Sequence, residues 1–148
     1  RNFKEGDMEA VQDMLTKSVL FTSAVAIPMT VLLMLFSEKI LSLVFGLEYA
    51  KAALPLRILL LGQLINILCG SVGLVLSMTG HVKETLRAFA LALIINIFLM
   101  YTLIPIYQEI GAAISVTMSL IFWNGLLLYK VKAITGLNTY FRLKFNIF

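Results

Sequence analysis

Residues 58–80, ILLLGQLINILCGSVGLVLSMTG, run for 23 positions without an Asp, Glu, Lys or Arg. A bilayer hydrocarbon core of roughly 30 Å needs about 20 apolar residues at 1.5 Å each, and inside it only a helix satisfies every backbone N–H and C=O within one segment. The stretch reads as a transmembrane helix. Within it Gln63, Asn66, Gly70, Gly73 and Ser77 recur at steps of 3, 4, 3 and 4. That spacing puts them on one helix face for about 21 Å. Small residues let a second helix approach closely, and amides hydrogen-bond across such contacts for about 1 kcal/mol each. The face suits tight helix packing or the lining of a polar cavity, and at this point both readings stand.

Three further stretches carry no charge: 18–37, 88–108 and 110–129, which are 20, 21 and 20 residues long. The chain is 60% hydrophobic and 14% charged, against roughly 25% charged in soluble domains, and its mean hydropathy is +0.95. Four helices of this apolarity in 148 residues could not be hidden in a soluble bundle, because a small domain has too much surface. The expected fold is all-α: a polytopic membrane bundle of four transmembrane helices. Residues 18–37 are too long for a signal-peptide core and have no small-residue cleavage site behind them, so they read as a retained span.

The organisation expected is an amphipathic lead-in over 1–17, a four-span bundle over 18–132 and a basic, aromatic tail over 133–148. Met8, Val11, Met14 and Leu15 give the lead-in its helical apolar spacing. Pro28 lies in the middle of the first span and predicts a kink over 24–28, which serves a hinge or a passive bend equally well. Residues 37–51 read as a short interfacial element, capped by Ser37 and ended by Gly46. Pro55 fits the first turn of the following helix. The third span places Ala88, Ala92 and Asn96 at steps of four and ends at Pro105. Only a few residues, Glu109 and Gly111 among them, join it to the fourth span, so these two helices must form an antiparallel hairpin. The fourth carries Gly111, Ser115 and Ser119, then Trp123 and Asn124, with Tyr129 as an interfacial anchor.

The net charge of +4 and pI near 9.3 follow from orientation. With four spans, nine basic residues, including Lys17, Lys83, Arg87, Lys130 and Lys132, fall on one side, and three, Lys39, Lys51 and Arg57, on the other. The positive-inside rule puts both ends and the 80–87 loop in the cytoplasm. Nucleic-acid binding is not needed to explain the basicity.

Catalytic chemistry is not expected. Cys69 is the only cysteine and His81 the only histidine, which excludes a disulfide within the chain and a cluster of metal ligands from these two. No phosphate loop, nucleophile elbow or zinc motif occurs, no cofactor is implied, and no carboxylate lies inside a span. His81 and Glu84 share the 80–87 loop, and a lone His beside Lys83 and Arg87 reads as a solvated loop residue. What remains inside the bilayer is uncharged: Gln63, Asn66, Asn96, Asn124 and the hydroxyls around them. An ion-coupled carrier more usually shows an intramembrane acid or base.

Several motifs resemble one family. They are the run ILSLVFGLEYAKAA at 40–53, Leu56-Arg57-Ile58-Leu59 with Gly62-Gln63, Met78-Thr79-Gly80-His81-Val82-Lys83, and Leu103-Ile104-Pro105 with Gly111-Ala112-Ala113. Their order and spacing resemble the C-terminal half of polysaccharide-export flippases, members of the multidrug/oligosaccharidyl-lipid/polysaccharide superfamily. The similarity extends over about residues 17–132. It implies a transporter of 12 to 14 helices in two lobes, of which this chain is part of the second, in the cytoplasmic (inner) membrane.

Such a protein passes polyprenyl-pyrophosphate-linked oligosaccharide to the outer leaflet by alternating access, for cell-envelope polysaccharide biosynthesis such as lipopolysaccharide or O-antigen export. Its partners are membrane lipid, that substrate and the remainder of the transporter. Under the resemblance the Gln63 to Ser77 face is the leading cavity lining. Arg57 either meets pyrophosphate near the outer mouth or snorkels to the interface. Basic residues within the spans, which some members place in the cavity, are absent here. The alternatives are a drug/cation antiporter of the same superfamily and a small four-helix membrane scaffold docking through Gly111, Ser115 and Ser119.

Overall fold

The charge-free residues 18–37 form the body of a 41-residue helix, α1 (Glu5–Phe45), in the computed structural model. The structure describes residues 5–69, 72, 73, 76 and 80–135, with side chains from Lys17 onward except at 19, 134 and 135. The apolar spacing over 8–15 thus lies outside the described side chains, and most of the 133–148 tail outside the described residues. Helix α1 continues through Pro28 and past Ser37, so Ser37 caps nothing and the 37–51 segment is not a separate interfacial element. The stop comes at Gly46, where φ is 110°, a conformation open to glycine because it has no β-carbon. Gly46 N–H closes the end by donating to the Ser42 carbonyl at 3.1 Å. A six-residue 3-10 helix, Leu47–Ala52, then leads into α2 (Ala53–Cys69). Pro55 lies in the first turn of α2, where its missing N–H has no helical partner to lose.

Beyond Cys69, Val72, Gly73 and Leu76 are helical. Gly80, at φ 84°, turns the chain, and His81 N–H donates back to the Leu76 carbonyl at 2.8 Å. Helix α3 (Val82–Thr135) follows, 54 residues long. Straight, it would measure about 80 Å, more than twice a bilayer core. It is not straight. Gln108 breaks it with φ 50° and ψ −124°, and the two arms return on each other: Glu84 meets Lys130, Phe89 meets Trp123 and Asn96 meets Ser119. The midpoints of these pairs fall between residues 106 and 108, the signature of an antiparallel hairpin that turns beside Gln108.

Among the described residues three helices are long and apolar enough to cross a membrane, rather than four separate ones. The expected third and fourth spans both lie within α3, because the join contracts from a loop to one non-helical residue. Arg57 touches Met34 and Ser37 of α1. Helix α2 and its continuation run alongside the second arm of α3, with Ile58 against Thr117, Asn66 against Asn124 and Gly73 against Leu127.

Burial is inverted relative to a water-soluble protein. Ala53, Ala92, Ala113, Ser23, Ser37 and Ser115 are buried, while Phe21, Leu35 and Tyr101 are 76, 71 and 82% exposed. Small residues inside and large apolar residues outside are what helix association in lipid selects, since tails solvate Leu and Phe as well as protein does. One larger apolar cluster, Val72, Leu76, Ala88, Leu127 and Val131, closes the end of the bundle next to the Gly80 turn. The described residues form helices and turns alone, and the molecule is a multi-pass membrane protein.

Candidate functional site

Two of the sequence-predicted polar residues meet a third across the α2–α3 interface. Asn124, 4% exposed, donates from Nδ2 to the Leu120 carbonyl and to Asn66 Oδ1, both at 2.9 Å. Asn66 Nδ2 in turn faces Gln63 Oε1 at 3.5 Å, a long contact. The relay runs from buried Asn124 through half-buried Asn66 to exposed Gln63. An amide in hydrocarbon without a partner is costly, and here each of the two inner amides has one.

The rest of that α2 face does something else. A β-carbon at Gly73 would meet Thr85 Cγ2 at 3.6 Å and Leu127 Cδ1 at 3.7 Å, so Gly73 is a packing contact rather than a cavity wall. Gly70 and Ser77 lie outside the described residues. The predicted stripe therefore has a hydrogen-bonding end at Gln63 and Asn66 and a close-packed end at Gly73.

Asn96 belongs to a separate pair. Its Nδ2 donates to Ser119 Oγ at 2.9 Å, tying the α3 arms together. Ser119 Oγ donates to the Ser115 carbonyl at 2.7 Å, and Ser115 Oγ to Gly111 at 2.8 Å. A cavity of about 170 Å³ opens between the arms, lined by Phe89, Ala92, Asn96, Ser119, Leu120 and Trp123 among others. Its walls are chiefly apolar. The Phe89 and Trp123 rings meet edge to face there, with centroids 5.6 Å apart.

Arg57 is held by α1. Its Nε donates to the Met34 carbonyl at 3.1 Å and to Ser37 Oγ at 2.8 Å, while a terminal nitrogen reaches Glu38 Oε1 at 3.3 Å. Sequence reasoning named Arg57 but not these partners, which stand 19 to 23 positions away. It also missed Thr117, whose hydroxyl donates to the Ile58 carbonyl at 3.1 Å. The only signal was Gly62 one turn beyond Ile58, a small residue that lets another helix come close.

At the other end of the hairpin Glu84 accepts from Lys130 on one oxygen and from Arg87 at 2.6 Å on the other. Glu84 is thus a partnered residue that links the two arms of α3. Among the described residues no group of three or more His, Cys, Asp or Glu could hold a metal ion. The polar equipment inside the charge-free segments consists of amides, hydroxyls, the Cys69 thiol and one indole, groups suited to hydrogen bonding.

No curated protein and no solved structure matches the chain. The MatE family model matches residues 1–102, which include α1, α2, the Gly80 turn and most of the first arm of α3. The chain belongs to the MatE family, membrane transporters of the multidrug/oligosaccharidyl-lipid/polysaccharide superfamily.

Proposed function

We propose that this chain is part of the second lobe of a flippase that moves polyprenyl-pyrophosphate-linked oligosaccharide across the cytoplasmic membrane for polysaccharide biosynthesis. The observation that carries the proposal is the Asn124–Asn66–Gln63 relay, an uncharged hydrogen-bonding chain that surfaces at Gln63 within a charge-free segment. Such a surface suits hydroxyl- and phosphate-bearing head groups that pass by exchanging hydrogen bonds. The order of motifs over 40–113 supports the same reading. Each arm of α3 crosses the bilayer separately under it, giving four spans, with both ends of this segment and the Glu84–Lys130 cluster cytoplasmic as the basic-residue count favours. The remainder of the transporter supplies the other lobe and the alternating access. No covalent step is involved.

A drug/cation antiporter of the same superfamily is the second reading, and the MatE match favours it equally. Expression of the full-length gene separates the two. Rescue of growth and surface polysaccharide in an export-deficient strain, without increased tolerance to cationic dyes, is the flippase outcome. Dye tolerance without rescue is the antiporter outcome. Labelling of single cysteines placed at 48 and at 83 tests the orientation, with reagent outside the cell reaching only the first.

A further inference from the structure

The amide relay has a direction, and the direction determines what its exposed end can bind. A backbone carbonyl only accepts, so the Asn124 atom 2.9 Å from Leu120 O must be the nitrogen. That same nitrogen faces Asn66 at 2.9 Å, so the Asn66 atom there is the oxygen. The opposite end of the Asn66 amide is then Nδ2, and the Gln63 atom facing it is Oε1. The Asn124 and Asn66 orientations follow in turn from an atom whose chemistry is fixed, and Gln63 places its Oε1 toward Asn66 Nδ2 at the longer distance of 3.5 Å.

We infer that Gln63 presents its NH2 group, and not its carbonyl, as the free end of this relay, and that it is a specificity-determining donor for an oxygen-acceptor ligand. The assignment of that ligand to a lipid-linked sugar rests on the flippase reading; the polarity of the site does not. Nothing among the described residues accepts from Gln63 Nε2, and the residue is exposed on α2, outside the interface that buries Asn124. Two N–H donors at the edge of a charge-free segment fit a pyrophosphate oxygen or a sugar oxygen. They are the wrong polarity for a metal ion or an organic cation, which would need Oε1, and Oε1 is turned inward to Asn66.

The test exploits the same asymmetry. Gln63→Glu keeps an acceptor facing Asn66 Nδ2, so the inner relay survives, but the outer end changes from donor to acceptor. Gln63→Lys supplies donors alone. Binding is measured on the full-length transporter in nanodiscs, with size-exclusion profiles confirming that each variant is intact. The probes are undecaprenyl pyrophosphate, octyl glucoside and tetraphenylphosphonium.

The expected result is that Gln63→Glu weakens the pyrophosphate or the glucoside probe by about tenfold or more, as loss of a hydrogen bond with a repulsive contact in its place requires. Gln63→Lys should keep that probe within about threefold, and neither variant should weaken tetraphenylphosphonium. The affected probe identifies whether the acceptor is phosphate or sugar. Unchanged affinity for both oxygen probes in Gln63→Glu, wild-type protein that binds neither, or loss of tetraphenylphosphonium binding in Gln63→Glu would each overturn the assignment. Failure of wild-type protein to rescue polysaccharide export, with the Gln63→Glu effect intact, removes the flippase reading and leaves the donor assignment standing.

Discussion

Gly62 and Thr117 stand against each other where α2 packs on α3: a β-carbon at Gly62 would lie 3.0 Å from Thr117 Oγ1, 3.1 Å from its Cγ2 and 3.3 Å from its Cα. The Thr117 hydroxyl is already committed to the Ile58 carbonyl, so it cannot swing away without leaving that bond. Gly62→Ala should therefore destabilise the full-length protein by about 1–3 kcal/mol, the range for overpacking a tight contact. Thr117→Ala in the same molecule should recover part of the loss, and a double-mutant cycle on thermal midpoints in detergent gives the coupling. Additive effects would mean that the helices part at this point.

The hairpin turn is built on two unequal residues. Gln108 takes φ 50° with ψ −124°, a region sparsely used by residues with a side chain and unfavourable by about 1–3 kcal/mol. Gln108→Gly should raise stability by up to about 1 kcal/mol, the relief being offset by the greater freedom of glycine in the unfolded chain. Gly111→Ala should do the reverse, because its β-carbon would sit 2.4 Å from the Leu103 carbonyl oxygen, and backbone cannot yield as a side chain can. Thermal midpoints of the two variants should move in opposite directions.

These two positions also show what could be read in the chain beforehand and what could not. The charge-free lengths and the few residues between Pro105 and Gly111 were enough for a hairpin, since two apolar 20-residue segments cannot form one straight membrane helix. That the turn needs only Gln108 was not legible, because Gln carries no turn preference and its strained conformation is imposed by the packing of both arms. The stop at Gly46 was legible from composition alone. Ser37 was misread as a cap because a serine at the end of an apolar run has that local meaning, and its actual partner, Arg57, becomes a neighbour only when α1 meets α2. The periodic face from Gln63 to Ser77 identified the right residues on α2. It could not reveal that Asn124, 58 positions beyond Asn66, completes the relay, nor that Gly73 is filled by Leu127.

At the Gly80 end, Glu84 ties two cations of unequal standing. Lys130 comes from the opposite arm and is about one-third exposed, whereas Arg87 is one turn along the same arm and 71% exposed. Only the first contact closes the hairpin, and exposed pairs within one helix contribute little. Lys130→Met should lower the thermal midpoint of the full-length protein and speed proteolysis near residues 80–87, while Arg87→Met should change neither appreciably. An Arg87 effect equal to that of Lys130 would mean that all three charges act as one network.

Arg57 provides the sharpest separation between a side chain that touches substrate and one that holds the fold. Its guanidinium uses one nitrogen for Met34 O and Ser37 Oγ and another for Glu38, a fork that an ammonium cannot reproduce. Arg57→Lys should destabilise the α1–α2 junction by about 1–2 kcal/mol even though the charge is kept. Glu38→Gln should have a much smaller effect, because that carboxylate is 64% exposed and salt screens it. Ser37→Ala removes an acceptor at a fully buried position and should resemble Arg57→Lys in thermal midpoint. If Arg57 also meets a pyrophosphate, Arg57→Lys will weaken transport well beyond Ser37→Ala at matched stability. Equal transport in the two variants would assign Arg57 to the architecture of the lobe alone.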